Sequence, residues 1–433
     1  MSIYSYEEAF GAVDKTTSAM RKAMEKWSDA YYGTSIAEKG DGCQRIAYCV
    51  VGKLIKTIFG EYKLTAEDPF LSAALKQLDG KRKDAMQMMM VGGESYIKPC
   101  PTADGFAFTL IPRENVLIFG RDGNGVPTDV GTVEKSTYGN DYYTLLERRR
   151  LDETGRLELS YQLYRSGNGE DPGDPVPLSE HPGYAELPET YRFETPMGLG
   201  LVRLKTPMLN CVDGSADGVA VFAAAMGLIE NIDRNEQLLN QEFERGQSRV
   251  FASADLLDPR TRELTAGLFV GLDDDPERTG MTVYSPALRE ESFLARKQEY
   301  LRNVESLVGL RRGMLSDANI EDRTATEITS SAGDYNLVVI DLQQTWETAV
   351  RETAALCCAL GQQYRIPGAP AEPSDIAIDW GNGVLYDEDK QWEAYRGMVA
   401  DGLLKPEIAL GWRFDLPVET EEQRTKVREN LMP

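Results

Sequence analysis

Histidine is almost missing from this chain. Among 433 residues there is one, His181, followed by Pro182 in a stretch rich in proline and glycine. No metal site built on two histidines is therefore possible, and a histidine-dependent catalytic triad would have to use His181 itself. Cysteine is sparse too. Six cysteines in a chain of this length are too few for a disulfide framework. Cys43 and Cys49 lie six apart on an apolar helical pattern, and Cys357 and Cys358 are adjacent inside another. The expectation is reduced thiols packed in a core, in a cytoplasmic setting. No apolar run approaches the ~18 residues that a membrane span needs. The first residues show neither the basic nor the apolar segment of a secretory leader. Positive charge is also short: 47 basic against 70 acidic residues leave a net charge of −23. That argues against a protein that wraps nucleic acid, because such binders carry a basic face. It leaves open nucleic acid that passes without adhering.

Motifs for common chemistries are missing as well. A phosphate-cradling P-loop needs Gly-x4-Gly-Lys-Ser/Thr. Around Gly52-Lys53, Ala47 stands in place of the first glycine and Leu54 in place of the hydroxyl. Gly123-Asn-Gly125 lacks the third glycine and the following helix of a dinucleotide site. Asp273-Asp-Asp275 and Glu321-Asp322 read as solvated acidic turns, as expected where carboxylates are so abundant. No catalytic residue, metal ligand or cofactor is assigned.

What is present falls into an α+β order. Helices are predicted within residues 3–32 and 43–59, from Pro69 to Leu78 and from Asp84 to Val91. The last carries Met86, Met88, Met89 and Met90, read as adaptable core filling rather than a binding surface. From Gly92 the period changes to two. Short alternating or apolar runs from Ser95 to Tyr164, parted by turns at Asp104-Gly105, Asp122 to Gly125 and Thr154-Gly155, predict an antiparallel β module. Residues 166–190 read as a surface loop, and residues 191–210 as one more strand pair. A helix of about 30 residues follows from Ala216 to Gly246, with Phe222, Met226, Ile229, Ile232, Leu239 and Phe243 along one stripe. Arg249-Val250-Phe251 begins a strand, and residues up to 284 form a small mixed unit. Ser285-Pro286 is placed to cap and start the next helix, which runs to Val308.

The most unusual stretch comes next. Gly309 to Arg323 separates that helix from one running from about Ala325 to Tyr364, ~60 Å at 1.5 Å per residue. Thr324 and Glu327 fit a capping box that closes the loop. Gly333-Asp334 is a weak point where a bend is expected. A strand at Ile376 to Trp380 and short helices near 388–401, 405–412 and 419–430 complete the chain. Two long helices flanking a small unit cannot bury all their apolar surface within one chain, so neighbours are expected.

This order of parts resembles the portal proteins of tailed bacteriophages, in the branch found in siphophages of Gram-positive hosts. Phe243-Glu-Arg-Gly-Gln-Ser-Arg249-Val-Phe251 is similar to that branch's passage from stem helix into clip strand. Leu310 to Leu315, then Asp322-Arg-Thr-Ala-Thr-Glu327-Ile, is similar to its tunnel loop and the start of the helix behind it. Val91-Gly-Gly93-Glu-Ser-Tyr-Ile-Lys-Pro99 and Tyr143-Thr-Leu-Leu-Glu147 resemble its N-terminal wing, and Asp401-Gly-Leu403 to Glu407 its C-terminal turn. The chain departs from the pattern in a short C-terminal crown and a small clip.

The resemblance implies a homo-oligomeric ring, usually of twelve subunits, at one capsid vertex of the virion. Assembled in the host cytoplasm, it would pass double-stranded DNA inward during packaging and outward on ejection. It implies a wing over residues 1–215, stem helices over 216–248 and 285–308, a clip over 249–284 and a tunnel loop over 309–323. The long wing helix would span 324–366, with the last strand and short crown over 367–433. The terminase large subunit would dock on the clip, a head–tail adaptor would replace it, and capsid or scaffolding proteins would surround the ring. Gly309, Arg311, Arg312, Gly313, Met314, Asp317, Asn319 and Arg323 become the candidate channel residues. Arg311 and Arg312 would make transient phosphate contacts, or else pair with a neighbouring subunit's acids. The competing reading is a coiled-coil scaffold or adaptor without a channel.

Overall fold

A computed structural model describes residues 6–34, 42–103, 105–169, 173–245, 249–252, 281–284, 287–317, 325–381, 388–414, 416–418 and 420–431. The chain opens with a helical layer whose ends are set by local chemistry. After α1 (Glu7–Phe10), α2 (Ser18–Tyr32) starts at Thr17, whose side-chain oxygen accepts from Met20 N at 3.2 Å. Its stripe Met20, Met24, Trp27 and Tyr31 is buried against α3 (Ile46–Ile58). Strand β1 (Lys63–Ala66) comes next, then α4 (Pro69–Asp79), capped by Asp68 with proline at the first turn, and α5 (Arg82–Gly92). Met86, Met89 and Met90 are fully buried on α5, so the methionine cluster is core.

The change of period at Gly92 is a change of architecture. Strands β2 (Glu94–Thr102), β3 (Gly105–Pro112), β4 (Val116–Arg121), β5 (Pro127–Tyr138), β6 (Asp141–Leu151) and β7 (Leu157–Ser166) form where the pattern places them, but β2, β4, β5 and β6 bury four or more successive residues, so both of their faces are covered there. The turns after β4 and β6 use one device twice. Asp122 accepts from the amides of Asn124 and Val126, and Asp152 from those of Thr154 and Arg156. The expected loop contains β8 (Asp174–Val176), and β9 (Thr190–Arg192) and β10 (Val202–Lys205) follow. Here the expected strand pair is corrected, because β9 and β10 do not pair with each other. β9 adds to β7, in the larger sheet β4-β5-β6-β7-β8, whereas β10 adds to β2 in the order β10-β2-β3. The stretch between them crosses from one sheet to the other, each strand satisfying a backbone edge that the other cannot reach.

Between the sheets lies a buried ion cluster. Glu94, fully buried, takes both its oxygens to Arg203, with Nε at 3.1 Å, and also accepts from Tyr96 Oη at 2.8 Å and Gly218 N at 2.7 Å. Arg113 donates to Val116 O at 2.6 Å and Thr16 Oγ1 at 2.7 Å, and pairs with Asp217 at 3.2 Å. Burial alone would raise the Glu94 carboxyl, but Arg203 and Arg113 bring it down to about 2.

The same cluster explains why the next helix starts late. Residues 216–222, expected as helix, instead run across Gly93: a Cβ on Gly218 would come 2.2 Å from Gly93 O. Gly218 and Val221 spend their amides on Glu94 and Met90 O, so the helix α6 begins only at Met226 (Met226–Arg245). Strands β11 (Arg249–Ala252) and β12 (Met281–Tyr284) pair antiparallel. Helix α7 (Glu290–Val308) also starts later than predicted; Ser285 and Pro286 lie outside the described residues, and Arg289 is its first flanking residue. Residues 287–289 are exposed, so no packing draws them into the helix, and Arg289 reaches across to Glu242 instead.

Helix α8 (Ala325–Gln363) spans 39 residues without a break at Gly333-Asp334, ~58 Å at 1.5 Å per residue. From Val339 onward its stripe of Leu342, Trp346, Ala349, Val350, Thr353 and Cys357 is buried in the main core. Strand β13 (Ile376–Asp379) returns to pair with β1, some 300 residues away in sequence. Helices α9 (Glu388–Ala400), α10 (Pro406–Arg413) and α11 (Glu421–Leu431) lie close to the predicted positions.

Candidate functional site: the loop between two long helices

Helices α6 and α7 form an antiparallel hairpin, and the bonds between them give its register. Asn235 Nδ2 donates to Phe293 O at 3.0 Å, Lys297 pairs with Glu236 at 2.9 Å, and Arg289 with Glu242 at 2.8 Å. Gln44 roots the hairpin on the body: its amide donates to Asp233 at 2.8 Å and its side chain accepts from Lys297 Nζ at 2.7 Å. Ile229, Ile232 and Leu239 face inward, while Leu238, Phe243, Leu288 and Leu294 are exposed, the last 49 %. At the far end the ribbon brings Arg249 opposite Tyr284, Val250 opposite Val283 and Phe251 opposite Thr282. The remainder of the expected clip, residues 253–280, lies outside the described residues.

The near end of α7 carries the loop. Gly309 closes the helix in the left-handed region, φ 76°, and its amide donates to Glu305 O. Glycine is required there twice over, since a Cβ would also sit 2.6 Å from Val338 Cγ2 on α8. Leu310 is buried and donates its amide to Glu305 O at 2.8 Å. The chain then folds back along α7. Glu305 Oε1 accepts from the amides of Gly313 at 3.1 Å, Leu315 at 2.6 Å and Ser316 at 2.8 Å, and Oε2 from Ser316 Oγ at 2.8 Å. Gln298 Oε1 takes the Asp317 amide at 2.8 Å. Met314 and Leu315 are half-buried against the main core, whereas Arg311, Arg312 and Asp317 are exposed.

The candidate residues thus divide by role. Gly309 and Gly313 supply backbone, Met314 supplies packing, and Arg311, Arg312 and Asp317 face outward. Asn319, Arg323 and Thr324 lie outside the described residues. Glu327 falls in the first turn of α8, where only the backbone is described, so the capping box is not observed. Sequence reasoning missed Glu305. Its signal was an acid on the buried stripe Leu301, Val304, Val308, in the last turn of a helix, where the dipole disfavours a negative charge.

A cavity of about 800 Å³ opens elsewhere, between the sheets and the C-terminal end of α8. Its buried charges are bonded to one another: Lys98 reaches Glu147 at 2.7 Å, and Arg149 also pairs with Glu147. Burial would raise the Glu147 carboxyl, but Arg149 and Lys98 hold it low. His181 stacks on Tyr184, with ring centroids 4.3 Å apart, and accepts from Gly183 N. Among the described residues, no group of histidine, cysteine, aspartate and glutamate is arranged to hold a metal ion, and no helix is long and apolar enough to cross a membrane. Compared with known proteins, the sequence matches no family model and no curated protein.

Proposed function

We propose that the chain is a structural portal subunit, one of twelve in a ring that conducts double-stranded DNA through a capsid vertex. The observation that carries this reading is the α6–α7 hairpin with exposed Leu238, Phe243 and Leu294 along its outer turns, joined to a held loop that presents two arginines. The hairpin faces would bury those residues against neighbouring copies. Arg311 and Arg312 would then face the passing duplex. Twelve copies at −23 give a ring of −276, a field that keeps DNA from adhering to the wall. In this reading the β11–β12 end docks the terminase large subunit and later the head–tail adaptor, and ATP hydrolysis is the terminase's task. The alternative, a coiled-coil scaffold or adaptor, would bury the same outer leucines in a two-chain contact and leave no central hole.

Replacing Arg311 and Arg312 together by alanine is expected to lower DNA packaging in a reconstituted assay while leaving rings intact by electron microscopy. Packaging at the wild-type level by that double variant would refute the phosphate-contact role.

A further inference from the structure

We infer that Glu305 is the positioning residue of the loop: its buried carboxylate holds residues 310–317 against α7 as one body, and the loop leaves α7 only by releasing these bonds together. One residue takes five amides and a hydroxyl. The Glu305 carbonyl accepts from Gly309 and Leu310, Oε1 from Gly313, Leu315 and Ser316, and Oε2 from Ser316 Oγ. Seven residues back, Gln298 fixes Asp317, so the attachment covers two turns of the helix.

The carboxylate is fully buried, and among the described residues no cation pairs with it. It also sits at the carbonyl end of α7, which disfavours an anion. Among the described residues, the converging amides and the Ser316 hydroxyl are what offset its loss of water. The dependence runs both ways, because among the described residues the amides of Gly313, Leu315 and Ser316 have no other acceptor. A half-open loop would strand a buried carboxylate and several donors at once, so the intermediate is costly and the loop has two states, latched or fully released. In the latched state Arg311 and Arg312 are carried at a fixed place on α7. The inference rests on the portal reading only for what those arginines meet; the latch is a property of this chain alone.

The test is hydrogen–deuterium exchange by mass spectrometry on the full-length wild type, Glu305→Ala, Glu305→Gln and Ser316→Ala. In Glu305→Ala, peptides covering 310–317 are expected to exchange at least about tenfold faster while peptides covering α3 keep the wild-type rate. Glu305→Gln, which keeps an acceptor oxygen for the three amides, should restore much of the protection. If Glu305→Ala unfolds globally, Ser316→Ala, which removes a single bond, should still speed exchange severalfold in the loop alone. Unchanged loop exchange in Glu305→Ala, or a Ser316→Ala effect spread equally over α3, would overturn the latch. Failure of the wild type to form rings would instead count against the portal reading and leave the exchange result standing.

Discussion

Replacing Arg113 by alanine is expected to destabilise the fold by about 3–5 kcal/mol, the range for removing one partner from a buried ion cluster. Arg113 is 2 % exposed and joins three parts of the chain that are far apart in sequence. Its guanidinium bonds Thr16 ahead of α2, Val116 O at the start of β4 and Asp217 on the crossing segment. Without it, Asp217 keeps Arg121 at 2.5 Å, Glu94 keeps Arg203 and Asp14 keeps the Ile118 amide, but Thr16 loses its bond and the buried acids lose a shared cation. Lysine should not rescue the variant, since one ammonium cannot span three acceptors in a plane. Denaturant midpoints followed by circular dichroism measure the loss; a midpoint within error of wild type would contradict it.

The same cluster makes stability depend on acid in a defined direction. The Glu94 carboxyl is held at about 2 in the folded chain, below its ordinary 4.5. Its contribution is therefore complete above pH ~4.5 and drains away as pH falls towards 2, about 3 kcal/mol in all. Glu94→Gln should flatten the denaturant midpoint against pH in that window, and an unchanged slope would remove Glu94 as its source.

Trp346→Ala should be comparably severe, about 3–5 kcal/mol for deleting a fully buried tryptophan. The side chain sits midway along the buried part of α8 and is 0 % exposed. Its indole meets Phe59 edge-on at 5.8 Å and donates to Tyr62 Oη at 3.0 Å. The Tyr62 ring in turn lies tilted against Trp380 with centroids 4.9 Å apart, and the Arg82 guanidinium lies 5.6 Å from the Phe59 and Tyr62 ring centres. One tryptophan thus fastens the long helix to α3, to β1 and, through Trp380, to the end of β13. Burial pushes the Tyr62 hydroxyl up to about 12 although the indole N–H pulls it the other way. Tyr62→Phe removes that bond while keeping the ring, and should cost only about 1 kcal/mol. Equal losses for the two variants would contradict the argument that packing, rather than the hydrogen bond, holds α8.

How far these features could be read from sequence depended on the reach of each interaction. The long helices were legible because a 3.6-residue period repeats over many turns, and α8 ends within a residue of the expected place. The antiparallel strands from β2 to β7 were legible because each is followed by its own turn. Partners distant in sequence left no such trace. Lys63–Ala66 is too short to announce a strand and finds its edge at Ile376–Asp379, and nothing near Thr190 or Val202 says that they join different sheets. Residues 216–222 carry a helical pattern but are claimed by Glu94, whose burial no local pattern reveals. At the site, Gly309 was placed correctly as the residue that opens the loop, whereas Glu305 was hidden because glutamate in a helix is ordinarily solvated. Its role exists only once the loop has folded back on it.

Whether helix, loop and helix build a subunit of a ring is decided by negative-stain images of the purified full-length protein. Closed rings with a central hole are expected. A compact monomer, or an elongated dimer without a hole, would contradict that expectation.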